Sequence, residues 1–474
     1  MLSGSRQSLA KNFLYQFIYQ GLIFIIPLIV SPYLTRVIGK MGLGIYTYVN
    51  SIAYYFIILA NLGISRHGQR IISQKSGKEE ELRKAFWSLL FLHFLISLLS
   101  LAAYFVFICI CVKENKDIYI IEGIYVASAM FDITWFFWGM ENFKSVAIKN
   151  TVIKMMECIL IFSCVHSSMD LWKYALISAS SIFVGQVVMI PQACSIARPI
   201  RFSRTDFIQH MKPLLMFSIS VIAVSMYTIF DKVLLGFMMT KDNVALYEYS
   251  NKIINIPKVV LSVIGTVMFP KACKMAELKE VKMQKKYIDL SFIITAFLGM
   301  ASIFGLLAIA DEFVVIYYGE QFADCGALIK IFSPLIFIIG AGDIIRTQYL
   351  IPNKMDKEFN FCILINAVIN IVLSISLIPI WGIYGAVIGT ISAELFGFIY
   401  QIKLSKNFIM YRKIVKLCFP FLMLGGIMYM VMVSLSGILQ KTVTGMMIKI
   451  AVGLCVYLVG TILFFLRNRS EDRI

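Results

Sequence analysis

The chain has 474 residues, 59% of them hydrophobic and only 15% charged, with a mean hydropathy of +0.81. A soluble domain carries about 45–50% apolar and about 25% charged residues, so the composition excludes an ordinary soluble protein and predicts a membrane protein. The formal charge of +17 does not mark a nucleic-acid binder, because the bases lie in short segments between apolar runs and form no stripe interleaved with aromatics.

The first apolar run, KNFLYQFIYQGLIFIIPLIV, is longer than a signal-peptide core, and the following SPYLTRVIGK has no small-residue cleavage site. It reads as a retained first span. Stretches of about 20 apolar residues, each able to cross a hydrocarbon core of roughly 30 Å, then recur along the chain. Fourteen spans are predicted: 12–35, 43–64, 85–111, 118–141, 151–167, 173–193, 213–237, 244–270, 288–310, 326–349, 360–380, 382–402, 414–437 and 446–466. Pro379 and Gly382 split the eleventh from the twelfth with a tight turn. Prolines also interrupt the first span (Pro27, Pro32), the eighth (Pro257) and the tenth (Pro334), as membrane helices tolerate.

Lys and Arg concentrate in alternate loops such as RHGQRIISQKSGKEEELRK and KACKMAELKEVKMQKK, whereas ADEFVVIYYGEQFADCG holds acids and no base. Basic loops stay on the cytoplasmic side. Both termini are therefore placed in the cytoplasm, which requires an even number of spans. The ten cysteines form no C-x-x-C and read as small buried apolar residues, with neither a zinc site nor a disulfide framework. No metal and no cofactor are expected.

One phrase occurs twice. GIYTYVNSI (44–52) and ALYEYSNKI (245–253) match at Tyr46 and Tyr247, Tyr48 and Tyr249, Asn50 and Asn251, and Ile52 and Ile253. Lys11 and Lys40 match Lys212 and Lys241 at the same offset. Each copy opens the second span of a half, and six spans separate the copies, so the halves run parallel about a pseudo-two-fold along the membrane normal. The expected organisation is an all-α polytopic membrane protein: an N-terminal lobe (1–194), a cytoplasmic linker (195–212), a C-terminal lobe (213–404), and two extra helices with a tail (405–474). Tyr46 and Asn50 share a helix face, as do Tyr247 and Asn251. Those faces should point into the bundle, as packing contacts or as substrate contacts.

The chain resembles the oligosaccharide-lipid flippases of the multidrug/oligosaccharidyl-lipid/polysaccharide exporter superfamily. The likeness runs through LTRVIGKMGLGIYTYVNSI, WGMENFKSVAIKN, DKVLLGFMMTKDNVALYEYSNKI, VMFPKA, YYGEQFADCGALIKIFSPL and NAVINIVLSISLIPIWGIYGAVIGTISAE. The resemblance implies two six-helix lobes around a V-shaped central cavity. It also implies passage of undecaprenyl-diphosphate-linked sugar repeats from the cytoplasmic to the outer leaflet of a bacterial inner membrane, with a polymerase of the same pathway as a candidate partner. A lipid II flippase and a multidrug cation antiporter are the alternatives of the same fold. A membrane glycan polymerase or ligase is a more distant one, since no long outer loop is present to hold a donor sugar.

Charges inside the spans cost about 2.5–3.5 kcal/mol at the bilayer centre and usually face a cavity or a partner. They are Glu122 and Asp132 in the fourth span, Asp231 and Lys232 in the seventh, Glu248, Lys252 and Lys258 in the eighth, Lys330, Asp343 and Arg346 in the tenth, and Glu394 in the twelfth. Asn251, Asn255 and Lys258 form one polar stripe, suited to a lipid diphosphate that must exchange its water for cations and donors. Lys258, Lys252 and Arg346, with Arg36 and Arg66 at span ends, are the candidate diphosphate cations. Arg36 and Arg66 have snorkelling to the interface as their plainer role, and Glu248 and Lys252 have pairing along the helix. Lys252 and Lys258 fall opposite Ser51 and Ile57 of the first half, so an anion site should lean to the C-terminal lobe. Asp231–Lys232 resembles an acid–base pair of the family's seventh helix, a bundle-facing ion pair or part of a gate. Asp132 and Glu394 are the candidates for a coupling proton or sodium ion, or for balancing Lys258.

There is no G-x-x-x-x-G-K-[ST] and no H-E-x-x-H, and His67, His93, His166 and His210 are scattered. Neither ATP hydrolysis nor zinc-dependent hydrolysis is expected.

Overall fold

The computed structural model describes residues 26–471, which are helical nearly throughout. The chain forms two compact units, one ending at Val233 and one beginning at Leu234. The helices of the first are α1 (Ile26–Val37), α2 (Gly39–Asn61), α3 (Ile64–Lys75), α4 (Glu79–Cys111), α5 (Lys116–Ser128), α6 (Thr134–Gly139), α7 (Phe143–Cys164), α8 (Leu171–Val187), α9 (Ile190–Ile196) and α10 (Arg204–Thr228). A short α11 (Phe230–Met238) carries the chain across the boundary. The second unit holds α12 (Lys241–Glu277), α13 (Val281–Tyr318), α14 (Cys325–Phe332), α15 (Leu335–Ile345), α16 (Asp356–Trp381), α17 (Ile383–Ser405), α18 (Tyr411–Ser436) and α19 (Val443–Glu471).

Among the described residues, eleven helical segments are long and apolar enough to cross a membrane, and Ile26–Val37 is a shorter apolar helix. This is a multi-pass membrane protein. Of the predicted spans outside that set, the first is described only from Ile26. The fifth, α7, carries Lys144, Lys149, Lys154 and Glu157 along its length. The seventh is divided at Ile229, whose φ of −121° and ψ of −26° leave the helical path.

Side chains are sorted as lipid requires. Along α4, Leu99 and Ile110 are more than 70% exposed while Ser88, Ser97 and Ser100 are buried. Small polar residues let helix backbones approach and bond across the contact. Ser100 Oγ accordingly donates to the Phe56 carbonyl on α2 at 2.6 Å. The cysteines follow the same sorting and correct the sequence reading: Cys325, Cys362 and Cys418 are buried, but Cys109, Cys111, Cys164 and Cys455 are exposed on apolar helix faces.

Glycine sets two of the tightest joints. Leu62 and Gly63, both in the left-handed region (φ 30° and 75°), end α2 and start α3, so the basic loop predicted after the second span begins as a helix. Gly68 then brings α3 against Trp135 of α6, where an added Cβ would stand 2.6 Å from the ring. Between α16 and α17, Gly382 turns the chain at φ 58°, and a Cβ on Gly385 would lie 2.4 Å from the Leu377 carbonyl. The Gly382–Gly385–Gly389 spacing thus serves close packing.

The two C-terminal helices dock on α13. Tyr457 Oη donates to the Phe297 carbonyl at 2.8 Å, and Lys449, fully buried, bonds both oxygens of Glu312 at 2.6 and 2.8 Å. Glu312 and Asp311, read from sequence as part of an outer loop, lie inside α13, and Asp311 pairs with Lys330 of α14.

Candidate functional site

In the second unit, α12 runs unbroken through Pro257 and Pro270, so the proline predicted to interrupt the eighth span does not end it. Pro334 does end a helix: α14 stops at Phe332 and α15 starts at Leu335. The face of α12 that carries Lys258 also carries Gly265, one heptad on. A Cβ at Gly265 would come within 2.2 Å of Asp343 Oδ2 on α15, so the missing side chain is what admits that carboxylate. Asp343 forms an ion pair with Arg346, which opens the π-helical turn Arg346–Leu350. Across from them on α17, Glu394 feels the charges of both Lys258 and Arg346.

Four of the intramembrane charges therefore converge: Lys258, Asp343, Arg346 and Glu394, two of each sign. Arg346 keeps 41% of its side chain exposed while Asp343 keeps 11%. The acid is sequestered and the guanidinium is still presented. Such a balanced set tolerates burial, and an incoming anion can compete with the carboxylates for the cations.

The other eighth-span candidates lie outside this group. Lys252 places its ammonium 4.1 Å from the Tyr249 ring centre, a cation–π contact. Asn251 and Asn255 are partly exposed. Tyr247 Oη and Thr390 Oγ1 on α17 share a hydrogen bond of 3.1 Å, and Asn370 Nδ2 of α16 donates to the same hydroxyl at 3.3 Å.

In the first unit the matching tyrosine does a matching job. The Tyr46 ring stands 4.5 Å from Tyr174 on α8, with Ser178 of the same helix beside its hydroxyl. Each repeated tyrosine ties the second span of its half to the sixth. Asn50 donates from Nδ2 to Glu122 Oε2 at 3.0 Å, joining α2 to α5. Ser178 reaches Glu157 Oε1 at 3.4 Å, and Glu157 is paired with Lys154 at 2.7 Å.

The remaining candidates scatter. Arg36 donates to the Pro32 carbonyl at 2.8 Å on its own helix, and Arg66 is exposed on α3, past the end of the second span where the sequence placed it. Asp231 is buried in the first turn of α11, immediately after the Ile229 break, and acts on the Tyr55 hydroxyl; Lys232 follows it. Asp132 is corrected outright. It is not a mid-helix acid but stands at extended dihedrals between a 3-10 turn and α6. Its Oδ1 accepts from Thr134 N at 3.0 Å and Thr134 Oγ1 at 2.6 Å, an Asx-type cap on α6.

Sequence reasoning missed the long-range partners: Asn50 with Glu122, Lys449 with Glu312, and the buried His67–His210 contact, Nε2 to Nδ1 at 3.0 Å. Only the first had a usable signal, because Glu122 is an acid in an apolar run with no base beside it and Asn50 belongs to the repeat.

The family model described as polysaccharide biosynthesis protein matches residues 9–276. The chain belongs to this family. A candidate O-antigen transporter of Shigella dysenteriae is 25% identical over 400 residues, covering 84% of this chain and 100% of that protein. Among solved structures, the lipid II flippase MurJ in an inward closed conformation has a TM-score of 0.76 at 16% identity, covering 96% of this chain and 99% of its own. An outward-facing multidrug resistance transporter of the MATE family, in the MOP superfamily, has a TM-score of 0.53 at 12% identity, with 85% and 95% covered. This family member thus has the all-helical fold of those transporters.

Proposed function

We propose that the chain is a flippase that moves an undecaprenyl-diphosphate-linked oligosaccharide from the cytoplasmic to the outer leaflet of a bacterial inner membrane. The observation that carries this reading is the likeness to the O-antigen transporter, which spans that protein's whole length. Two six-helix lobes, bounded at 1–194 and 213–404 with 195–212 as linker and 405–474 as the extra helices and tail, would alternate access to a V-shaped cavity. All fourteen spans and both cytoplasmic termini belong to this proposal.

The diphosphate needs cations that are desolvated but not locked away. Lys258 and Arg346 meet that need, since each is shared with a carboxylate and neither sits in an isolated one-to-one pair. The doubly charged head can displace Glu394 and Asp343 from them in transit. Lys252, Arg36 and Arg66 would guide the head at the margins. The polyprenyl tail stays in lipid, against the apolar outer faces. An antiporter for organic cations would be served by acids alone, so Lys258 and Arg346 disfavour that reading.

The test is reconstitution of the purified full chain into vesicles with lipid-linked oligosaccharide extracted from the source cells. Protein-dependent arrival of the oligosaccharide at the opposite leaflet, weakened in Lys258→Ala, is the expected result. Flipping of lipid II in its place, or no flipping of either, would overturn the reading.

A further inference from the structure

We propose that Glu122 is a proton-binding site of the N-terminal unit, loaded and unloaded as the substrate crosses. This inference rests on the flippase reading. Glu122 is completely buried, and its Oε2 accepts from Asn50 Nδ2 at 3.0 Å. Its Oε1 is buried with no hydrogen-bond donor in reach among the described residues. A buried carboxylate is normally neutralised by a cation or by several donors, and one lacking both is strongly disfavoured. The proton supplies what the protein does not. It adds to a carboxylate oxygen, and no other bond changes.

Among the described residues, the surroundings hold no base. α5 packs on α2, α4, α8 and the short turn at 129–131. The titratable groups facing Glu122 from these elements are the phenols Tyr46 of α2, Tyr104 of α4 and Tyr174 of α8, with Tyr125 of α5 itself; the turn contributes none. Beyond Tyr174 lies Glu157 of α7, already matched by Lys154. Neither of the acids assigned to coupling from sequence is in this position. Asp132 caps α6, and Glu394 faces Lys258 and Arg346.

Asn50 also gives the site a route to the rest of the machine. It lies in the repeated segment of α2 and shares a helix face with Tyr46, which reaches Tyr174 and Ser178 on α8. Charging Glu122 would demand water or a new donor at Oε1, which only a movement of α2, α4 or α8 away from α5 could provide. Proton release is thereby linked to opening of this unit.

Two measurements on the full chain in lipid vesicles test the proposal. The first is the infrared carbonyl stretch of a protonated carboxylic acid at neutral pH, expected in the wild type and lost in Glu122→Gln. The second is flipping of extracted lipid-linked oligosaccharide under an imposed pH gradient or sodium gradient. The wild type should respond to the pH gradient alone, Glu122→Gln should lose that response, and Glu122→Asp should retain part of it. Absence of the infrared signal, a pH response surviving in Glu122→Gln, or a response to sodium only would each overturn the proton site. Absence of flipping in the wild type under every gradient overturns the flippase reading and the coupling with it, while the infrared signal reports separately whether Glu122 holds a proton.

Discussion

Lys258 on α12 and Glu394 on α17 act on each other's charge, and Arg346 joins them through the same glutamate. This arrangement separates two roles that either lysine or glutamate alone would leave merged. If Lys258 is there for the substrate, Lys258→Ala abolishes glycan export at normal protein levels, and the exchange Lys258→Glu with Glu394→Lys does not restore it. Restoration by the exchange would mean that the pair only holds α12 to α17. Export is read as surface polysaccharide in cells carrying each variant.

Gly265→Ala tests the other side of the same group. Its Cβ would intrude on Asp343 Oδ2 and must push that carboxylate away from its place beside Arg346. Export should fall although no charge has changed. An unaffected Gly265→Ala protein would show that the position of Asp343 is irrelevant to transport.

The pair Lys449–Glu312 predicts a stability effect of known sign. Lys449 is fully buried, and removing one partner of a buried ion pair costs about 3–5 kcal/mol, whereas replacing both by apolar residues is often neutral. Lys449→Met should therefore lower the unfolding temperature sharply, and adding Glu312→Leu should recover most of the loss. Thermal unfolding in detergent measures both. Equal instability of the double variant would contradict the account of how α19 is held on α13.

His210, near the start of α10 and outside the apolar spans, is buried against His67, and burial with Lys75 nearby pushes its pKa down to about 4. The folded protein keeps this ring neutral, while the unfolded chain takes up a proton below about 6.5. Stability should therefore decline as pH falls from about 6.5 to about 4, and His210→Gln should flatten that slope. Asp206 contributes in a separate window. Ser203 backbone and side-chain hydrogen bonds, then Lys84 and Lys75, hold its carboxyl below the ordinary range, so its contribution is lost only as pH falls through that lowered value. Unfolding temperature against pH for the wild type and His210→Gln distinguishes the two.

The long apolar runs made the spans legible, because a helix satisfies its backbone polar groups within one apolar segment of about 20 residues, with no partner strand. The repeated phrase was legible too, and its tyrosines occupy corresponding places: Tyr46 beside Tyr174, Tyr247 beside Thr390. What the sequence hid were breaks inside apolar segments. Asp132 and Ile229 stand in stretches as oily as their neighbours, and only tertiary packing and a local cap reveal that the helix stops there. The sequence of α3 reads as a basic loop because its bases outweigh its apolar face, yet Ile64, His67, Gly68 and Ile72 are buried along one side. Pairings such as His67–His210 and Lys449–Glu312 join helices far apart in the chain, so no local spacing could have announced them.

The most direct test of the central claim is made in a strain of the source organism lacking this gene, by measuring surface polysaccharide together with the leaflet and amount of its lipid-linked repeat unit. The account predicts loss of surface glycan, with intact repeat units accumulating on the cytoplasmic leaflet. Repeat units reaching the outer leaflet at the normal rate would contradict it.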